Sequence, residues 1–474
     1  MKIILLNSFS LVRPIFGEPE AIYPPLGILY IASYLRKNGY NKIKVVDGGK
    51  IGMRKTLEII KKEDFDILGI SSTTWAAEGA RYLIKYVKNV KDKKVPIIVG
   101  GPHATALPRC FLDAGADIVV KGEGEKTFFE IVKFLEEGGK LKNIRGIAFR
   151  KNRRYIETKP RELLDVNSLP SPARDLIDIK RYPGLYWSLA KPETHIISSR
   201  GCPFRCFFCS NPVWRQNVPF YRLRTPENIG EEVKELKYKY KIKELSDESD
   251  TFNVNLDWCI NVAREIGKFG ILWKAQLRAD RVTRKLAYEL KKSNCWLVRM
   301  GIESGNQETL DGVKKFINLQ EVIRALRKLK EQNINTVGLF MGFNVWEKDG
   351  KLFFEDYKKT FKTLKFIKKL INEKLLDSFQ FVLATPFPGS DLYYLAQKYN
   401  LIEIENFSYW NQSSYFIMRL PNVRREDIEK IKGIATLLQA LTMIRFRKAI
   451  NPKMLRYYYG KVLLILNYIL RNMW

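Results

Sequence analysis

The chain has 474 residues, 46% of them apolar, which is too long for one ordinary domain and sufficient for two or three full cores. Its 82 Lys and Arg against 51 Asp and Glu leave a formal charge of +31, which attracts anions such as acidic lipid headgroups, anionic cofactors or nucleic acid, although lysines spread along a chain also read simply as a solvated surface. Six cysteines, three of them within residues 202–209, argue against a disulfide framework and for a reducing cytosol.

MKIILLNSFS (1–10), with prolines following at 14, 19, 24 and 25, reads as a first buried strand and not as a signal peptide. No stretch reaches the roughly 18–20 apolar residues needed to span a bilayer. Residues 1–150 alternate strand and helix. Strands are predicted at 2–8, 42–47, 66–72, 96–101 and 117–122, and helices at 26–39, 53–63, 77–90 and 125–138. Apolar runs bounded by glycine imply a parallel sheet buried on both faces, in a Rossmann-like doubly wound α/β domain with ligands at the C-terminal strand ends. Those ends read SSTTW (71–75), GGPH (100–103) and GEGE (122–125).

Residues 151–194, charged and proline-rich, read as a connector. A second series begins at HIISSRG (195–201) and continues with strands at 241–245, 273–278, 296–304, 336–343 and 378–390. Six such units predict a partial or full α/β barrel over 195–404. From about 405 the pattern becomes helical, with helices expected at 426–449 and 453–472. Gly433–Trp474 holds seven Lys or Arg and no acid.

The first barrel strand runs into GCPFRCFFCS (201–210), with cysteines at 202, 206 and 209. A structural zinc usually takes four ligands in two pairs. Here three thiols stand together, and His195, the candidate fourth, lies inside a predicted strand seven residues upstream. Three thiolates suit a metal centre that keeps one position open, such as a cubane iron–sulfur cluster with one free iron.

The C-x3-C-x2-C spacing after a strand resembles the radical S-adenosylmethionine (radical SAM) superfamily. The resemblance implies a 4Fe-4S cluster on Cys202, Cys206 and Cys209. Its open iron would chelate S-adenosylmethionine, and one electron, from a donor such as ferredoxin or flavodoxin, would release a 5′-deoxyadenosyl radical. It also implies S-adenosylmethionine contacts from Phe208 (adenine), Glu248 or Asp250 in LSDESDTF (amino group), Arg278 in QLRAD (carboxylate) and Glu303 in GIESG (ribose). Each of these charges would otherwise read as a surface ion pair.

GGPHATALP (100–108), ADIVVKGEGEKTF (116–128) and PPLGILYIASYLRKNGY (24–40) resemble the cobalamin-binding domain joined to many such enzymes. The candidate cobalamin contacts are Ser71, Ser72, Thr73, Trp75, Gly100, Gly101, His103, Glu123, Gly124 and Glu125. The Asp-x-His-x-x-Gly motif of methionine-synthase-type domains is missing, its loop reading VDGGKIGM (46–53), so cobalamin is expected without a histidine ligand from the protein.

In layout the chain resembles the hopanoid-modifying and archaeal tetraether-lipid cyclising enzymes. The segment VLLILNYIL (462–470), flanked by Lys461 and Arg471 and preceded by RYYY (456–459), reads as a basic interfacial helix or as one packed on the barrel. The expectation is a cytoplasmic enzyme, peripheral at the inner membrane face, that modifies an unactivated carbon of a hydrophobic or lipid substrate. The alternative is a cobalamin-dependent C-methyltransferase acting on a small molecule, peptide or RNA. No RNA-recognition motif is present, so a nucleic-acid partner is not expected.

Overall fold

Strand β1 (Ile3–Asn7) reads IILLN, and its four apolar side chains are all buried. A strand apolar on both faces needs neighbours on both edges. β1 has them in parallel: β2 (Ile43–Asp47) on one side and β3 (Ile67–Ser71) on the other. The computed structural model describes residues 1–12, 21–91, 94–185 and 187–447. β4 (Ile97–Gly100) and β5 (Ile118–Val120) extend the parallel sheet. β6 (Ile147–Lys151) and β7 (Arg154–Glu157) add an antiparallel hairpin, giving the order β2-β1-β3-β4-β5-β6-β7. The hairpin turns at Asn152 and Arg153, both with positive φ, so this sheet runs past residue 150 to Glu157.

Helices α1 (Leu26–Lys37), α2 (Gly48–Lys62, kinked at Gly52), α3 (Ala77–Val90), the short α4 (Pro102–Ala106) and α5 (Pro108–Ala114), and α6 (Glu125–Glu137) flank the sheet. Separate cores form on its two faces. One packs β1, β3 and β4 against α3 and α5, and the other packs them against α1 and α6. Chain order diverges between β1 and β3, and a crevice opens at the strand ends beside that point.

The second sheet holds β8 (Glu193–Ile196), β11 (Glu244–Asp247), β12 (Leu272–Leu277), β13 (Cys295–Glu303), β14 (Asn335–Gly342) and β17 (Ser378–Leu383). Two hairpins branch off: β9 (Ser199–Arg200) with β10 (Arg222–Leu223), and β15 (Val345–Lys348) with β16 (Lys351–Phe354). All six main strands are parallel in chain order, and β8 and β17 form the two outer edges, so the expected barrel takes its partial, open form. Helices α7 (Pro226–Tyr238), α8 (Leu256–Gly267), α9 (Arg284–Lys292), α10 (Gln307–Gly312), α11 (Leu319–Glu331), α12 (Tyr357–Asn372) and α13 (Asp391–Lys398) cover its outside. Helix α14 (Arg425–Arg447) packs against β17 and α12.

Among the described residues no helix is long and apolar enough to cross a membrane. The helix expected at 453–472 lies outside the described residues. At the N-terminal strand ends, Lys274 is fully buried between Glu193 and Glu244, 2.8 Å from the latter. Leu185, Trp187, Trp296, Leu297 and Val337 pack together as an apolar cluster. These groups hold the base of the barrel together and leave chemistry to the opposite ends of the strands.

Candidate active site

The cysteine loop follows directly from the β9 strand. Gly201 has φ +80°, and a Cβ there would lie 2.1 Å from the Phe220 carbonyl oxygen, so only glycine lets the chain turn at this point. Cys202, Cys206 and Cys209 are all unpaired thiols. Cys202 Sγ lies 3.5 Å from Thr251 Oγ1, and the Asn211 amide donates to Cys209 Sγ at 3.4 Å. Burial pushes the Cys209 thiol up to about 12, with the Cys206, Asp250 and Cys202 charges acting in the same direction. Burial also raises Cys206, against the Lys315 and Arg278 cations. The three sulfurs therefore share one neighbourhood with Asp250, Glu303, Lys315 and Arg278.

Among the described residues no three His, Cys, Asp or Glu side chains converge on a single metal ion. A four-iron cluster asks for a different set, one thiolate for each of three irons, with charged and polar groups around an open corner. The loop and its neighbours fit that demand.

The acids after β11 divide by role. Asp247 accepts from Ser198 Oγ at 2.5 Å, from Ser249 Oγ at 2.6 Å and from the Ser249 amide at 2.9 Å, which ties the end of β8 to the end of β11. Glu248 Oε1 accepts from Arg299 at 2.6 Å and Ser246 at 2.5 Å. Burial would raise the Glu248 carboxyl, but the Arg299 guanidinium outweighs it and holds it below the usual range. Burial pushes the Asp250 carboxyl up, against bonds from the Asn211 side chain and the Gly201 backbone and the Arg215 charge, and among the described residues it forms no ion pair.

Arg278 pairs with Asp280 at 3.0 Å, donates to the Lys315 carbonyl at 2.9 Å and lies 3.7 Å over the Phe204 ring. Glu303, at positive φ, pairs with Lys315 at 2.8 Å. Phe208 is half-buried against the barrel core.

A cavity of about 340 Å³, open to solvent on one side, lies where the C-terminal ends of the two sheets meet. Of the sequence-predicted residues, Ser71, Gly100, Gly101, Glu123, Gly124, Glu125, Glu248 and Asp250 line it, and Gly201 brings the cysteine loop to its wall. Its inner end runs along the first sheet between α1 and α6, lined by Leu5, Ile28, Ile31, Ile98, Val120 and Phe128. A Cβ on Gly69 would stand 2.7 Å from Phe128 and close this slot. Gly101, at φ +100°, has no room for a side chain beside Ser72 O at 2.7 Å. An open cradle with an apolar slot behind it fits a broad ring that carries a tail, as cobalamin is.

Other predicted residues lie elsewhere. Ser72, Thr73, Trp75 and His103 are outside the lining, as are Cys202, Cys206, Cys209, Phe208, Arg278 and Glu303. His103 is buried edge-on against Phe111 and Phe407, with Nδ1 3.3 Å from Thr74 Oγ1. Burial takes it down to about 3, so it is neutral. His195 is stacked on Tyr23 at 4.6 Å, and burial takes it down to about 4.

Sequence reasoning missed Arg200 and Arg222. Arg200 pairs with Glu125 at 2.6 Å and Glu123 at 3.1 Å, and Arg222 pairs with Glu123. Burial raises the Glu123 carboxyl, but these two guanidiniums outweigh it and hold it below the usual range. The GEGE loop of the first sheet is thereby clamped to the strand that enters the cysteine loop. Arg200 stands two residues before Cys202 and was legible as part of that motif. Arg222 carries no sequence signal, because only the β9–β10 pairing brings it there.

A doubly wound domain and an open barrel meet at one cavity, and the loop that carries three clustered thiols starts from its wall, an arrangement suited to holding cofactors at a domain junction. Residues 12–132 match the B12 binding domain family, and residues 196–353 match the radical SAM superfamily. The chain is 33% identical over 443 residues to an uncharacterized methyltransferase of Pyrococcus horikoshii, covering 91% of this chain and 90% of that protein. It is 26% identical over 411 residues to the anaerobic magnesium-protoporphyrin IX monomethyl ester cyclase of Rubrivivax gelatinosus, covering 83% and 70%. Its fold matches the solved structure of the cobalamin-dependent S-adenosylmethionine radical enzyme OxsB with aqua-cobalamin and S-adenosylmethionine bound. That match has a TM-score of 0.70 at 17% identity over 97% of this chain and 70% of the other. The chain belongs to the cobalamin-binding radical SAM enzymes, and its cofactors are a 4Fe-4S cluster, S-adenosylmethionine and cobalamin.

Proposed function

We propose that this enzyme forms a carbon–carbon bond at an unactivated carbon of a hydrophobic substrate, by methyl transfer or by ring closure. The reading rests on one observation: a single cavity carries the cobalamin-side loops on one wall and the β11 acids with the start of the cysteine loop on another. When bound, the cluster and S-adenosylmethionine supply a 5′-deoxyadenosyl radical, and cobalamin supplies a methyl group.

The chain's own residues hold, orient and shield. In this reading Cys202, Cys206 and Cys209 hold the cluster. Asp250, which forms no ion pair among the described residues, would receive the methionine ammonium. Glu248, already paired with Arg299, fixes the β11 end beside it. Glu303 and Lys315 form the polar wall near Cys206. Gly100, Gly101 and Gly124 admit the corrin edge close to the backbone. The clamp of Arg200 and Arg222 on Glu123 and Glu125 keeps the two halves in register. Both histidines lie outside the cavity lining, His103 packed against Phe111 and Phe407 and His195 stacked on Tyr23, so cobalt would be held without a protein histidine.

A hydrophobic substrate is favoured by Trp214, Phe220 and Ile197, which bring apolar surface to the cavity from the side of the second sheet. The name of one relative, a magnesium-protoporphyrin ester cyclase, also points to a large apolar substrate and to ring formation. A lipid is the hydrophobic class proposed here, with C-methylation of a smaller molecule as the second reading, favoured by the methyltransferase relative.

The test is anaerobic incubation with S-adenosylmethionine carrying a deuterated methyl group and candidate lipid extracts. Label in the product means methylation, and loss of two hydrogens without label means ring closure or coupling. If 5′-deoxyadenosine forms but no lipid changes mass, the lipid reading fails.

A further inference from the structure

Beyond the last thiol the chain makes a short 3-10 turn, Asn211–Trp214, and Arg215 caps it, its amide donating to the Pro212 carbonyl at 3.0 Å. The half-buried Arg215 side chain returns over the cysteine loop. Its Nη2 donates to the Cys202 carbonyl at 2.7 Å and to the Phe204 carbonyl. Its guanidinium lies 5.0 Å from the centroid of the Phe220 ring, which lines the cavity. One side chain from the far end of the loop therefore fastens the stretch that carries the first thiol.

Two carbonyls and a ring face are an uncommon setting for a guanidinium. They orient it and leave its charge uncancelled, because among the described residues Arg215 meets no carboxylate at ion-pair distance. The other cations beside the thiols are paired: Lys315 with Glu303 at 2.8 Å, and Arg278 with Asp280 at 3.0 Å. Arg215 Nε is buried and, among the described residues, without a hydrogen-bond partner, so water screens this charge poorly. An arginine keeps its charge across the pH range of folded proteins.

We propose that Arg215 is a positioning residue for the cluster: it ties Cys202 and Phe204 into the loop and holds an unpaired positive charge beside the thiolates, which makes the cluster easier to reduce. The proposal rests on reading Cys202, Cys206 and Cys209 as the cluster ligands. Reduction adds one electron from an external donor and takes the cluster from 2+ to 1+. No bond forms or breaks and no proton moves. Three thiolates already place negative charge around the incoming electron, and a fixed, poorly hydrated cation offsets that repulsion.

The experiment compares the anaerobically reconstituted full chain with Arg215→Gln and Arg215→Lys. Each protein is poised at a series of solution potentials with titanium(III) citrate, without S-adenosylmethionine. The 1+ cluster is counted by electron paramagnetic resonance against iron content, so partial loss of cluster does not blur the ratio of reduced to oxidised form. At a fixed potential this ratio falls about tenfold or more in Arg215→Gln, equivalent to about 59 mV for one electron. Arg215→Lys, which keeps the charge and loses the fork, stays within about threefold of wild type. A Gln variant within about twofold of wild type overturns the proposal. A Lys variant as low as the Gln variant does so too, since the bonds and not the charge would then set the ratio. An Arg215→Gln protein that folds and binds no iron makes the residue a brace alone and also overturns it. If that variant does not fold, Arg215→Met, which keeps the stem against Phe220, is read in its place. Weaker S-adenosylmethionine binding in Arg215→Gln at an unchanged ratio assigns the residue to the cofactor site beside Asp250 and overturns the proposal. A wild type that holds no cluster iron refutes instead the cluster reading beneath it.

Discussion

Arg200 is the perturbation that tests the junction most directly. Its guanidinium reaches both Glu125 and Glu123, with only 19% of its side chain exposed. Arg200→Met keeps most of the packing volume and removes the charge. Glu123 keeps Arg222, while Glu125, 5% exposed, loses its ion-pair partner. Orphaning one partner of a buried pair costs about 3–5 kcal/mol. Because Glu123 stays paired and the site is partly solvated, the expected loss falls below that range, at about 2–3 kcal/mol. That corresponds to a fall in Tm of roughly 5–10 °C for a unit of this size. The assay is thermal unfolding by circular dichroism on anaerobic protein, with cobalamin retention measured on the same samples. The companion Arg200→Met, Glu125→Gln removes the orphaned charge and should recover about half of the loss or more. A single variant within about 1 °C of wild type would refute the clamp. A double variant no more stable than the single would show that packing, and not charge, makes the contact.

Cys202→Ala, Cys206→Ala and Cys209→Ala should each abolish 5′-deoxyadenosine formation and remove the cluster absorbance; turnover with normal iron in any one of them contradicts the ligand set. Gly101→Ala forces a side chain against Ser72 O at 2.7 Å in a left-handed conformation. It should cost roughly 1–3 kcal/mol and weaken cobalamin retention by the purified protein, checked by urea unfolding and by the visible spectrum. His195, lowered by burial to about 4, must take up a proton when the protein unfolds in mild acid. Its contribution is complete above the unfolded value near 6.5 and is lost as the pH falls from there towards 4, by up to about 3 kcal/mol. His195→Gln should therefore show a shallower drop in urea stability between neutral and mildly acidic pH; an unchanged slope would mean that the histidine is hydrated.

The sequence by itself determined the two strand–helix series and the cysteine loop, because both are local. Apolar runs between glycines dictate buried parallel strands, and Gly201 with its three cysteines within eight positions needs no distant partner to be recognised. It also placed Ser71, Gly100, Gly101, Glu123, Glu248 and Asp250 at strand ends, since the ends of parallel strands are where such a sheet exposes its loops. Only the tertiary structure decided what those residues meet. Glu123 and Glu125 face Arg200 and Arg222 across a junction that no sequence period encodes, and Glu248 meets Arg299 from a strand 51 residues away. His103, equally prominent in its motif, turned into a core with Phe111 and Phe407 because packing from the far end of the chain claimed it. Motif and period fix which groups a strand end offers. Which of them point into one cavity is settled by how two separately folded sheets dock, and that depends on contacts between residues far apart in the chain.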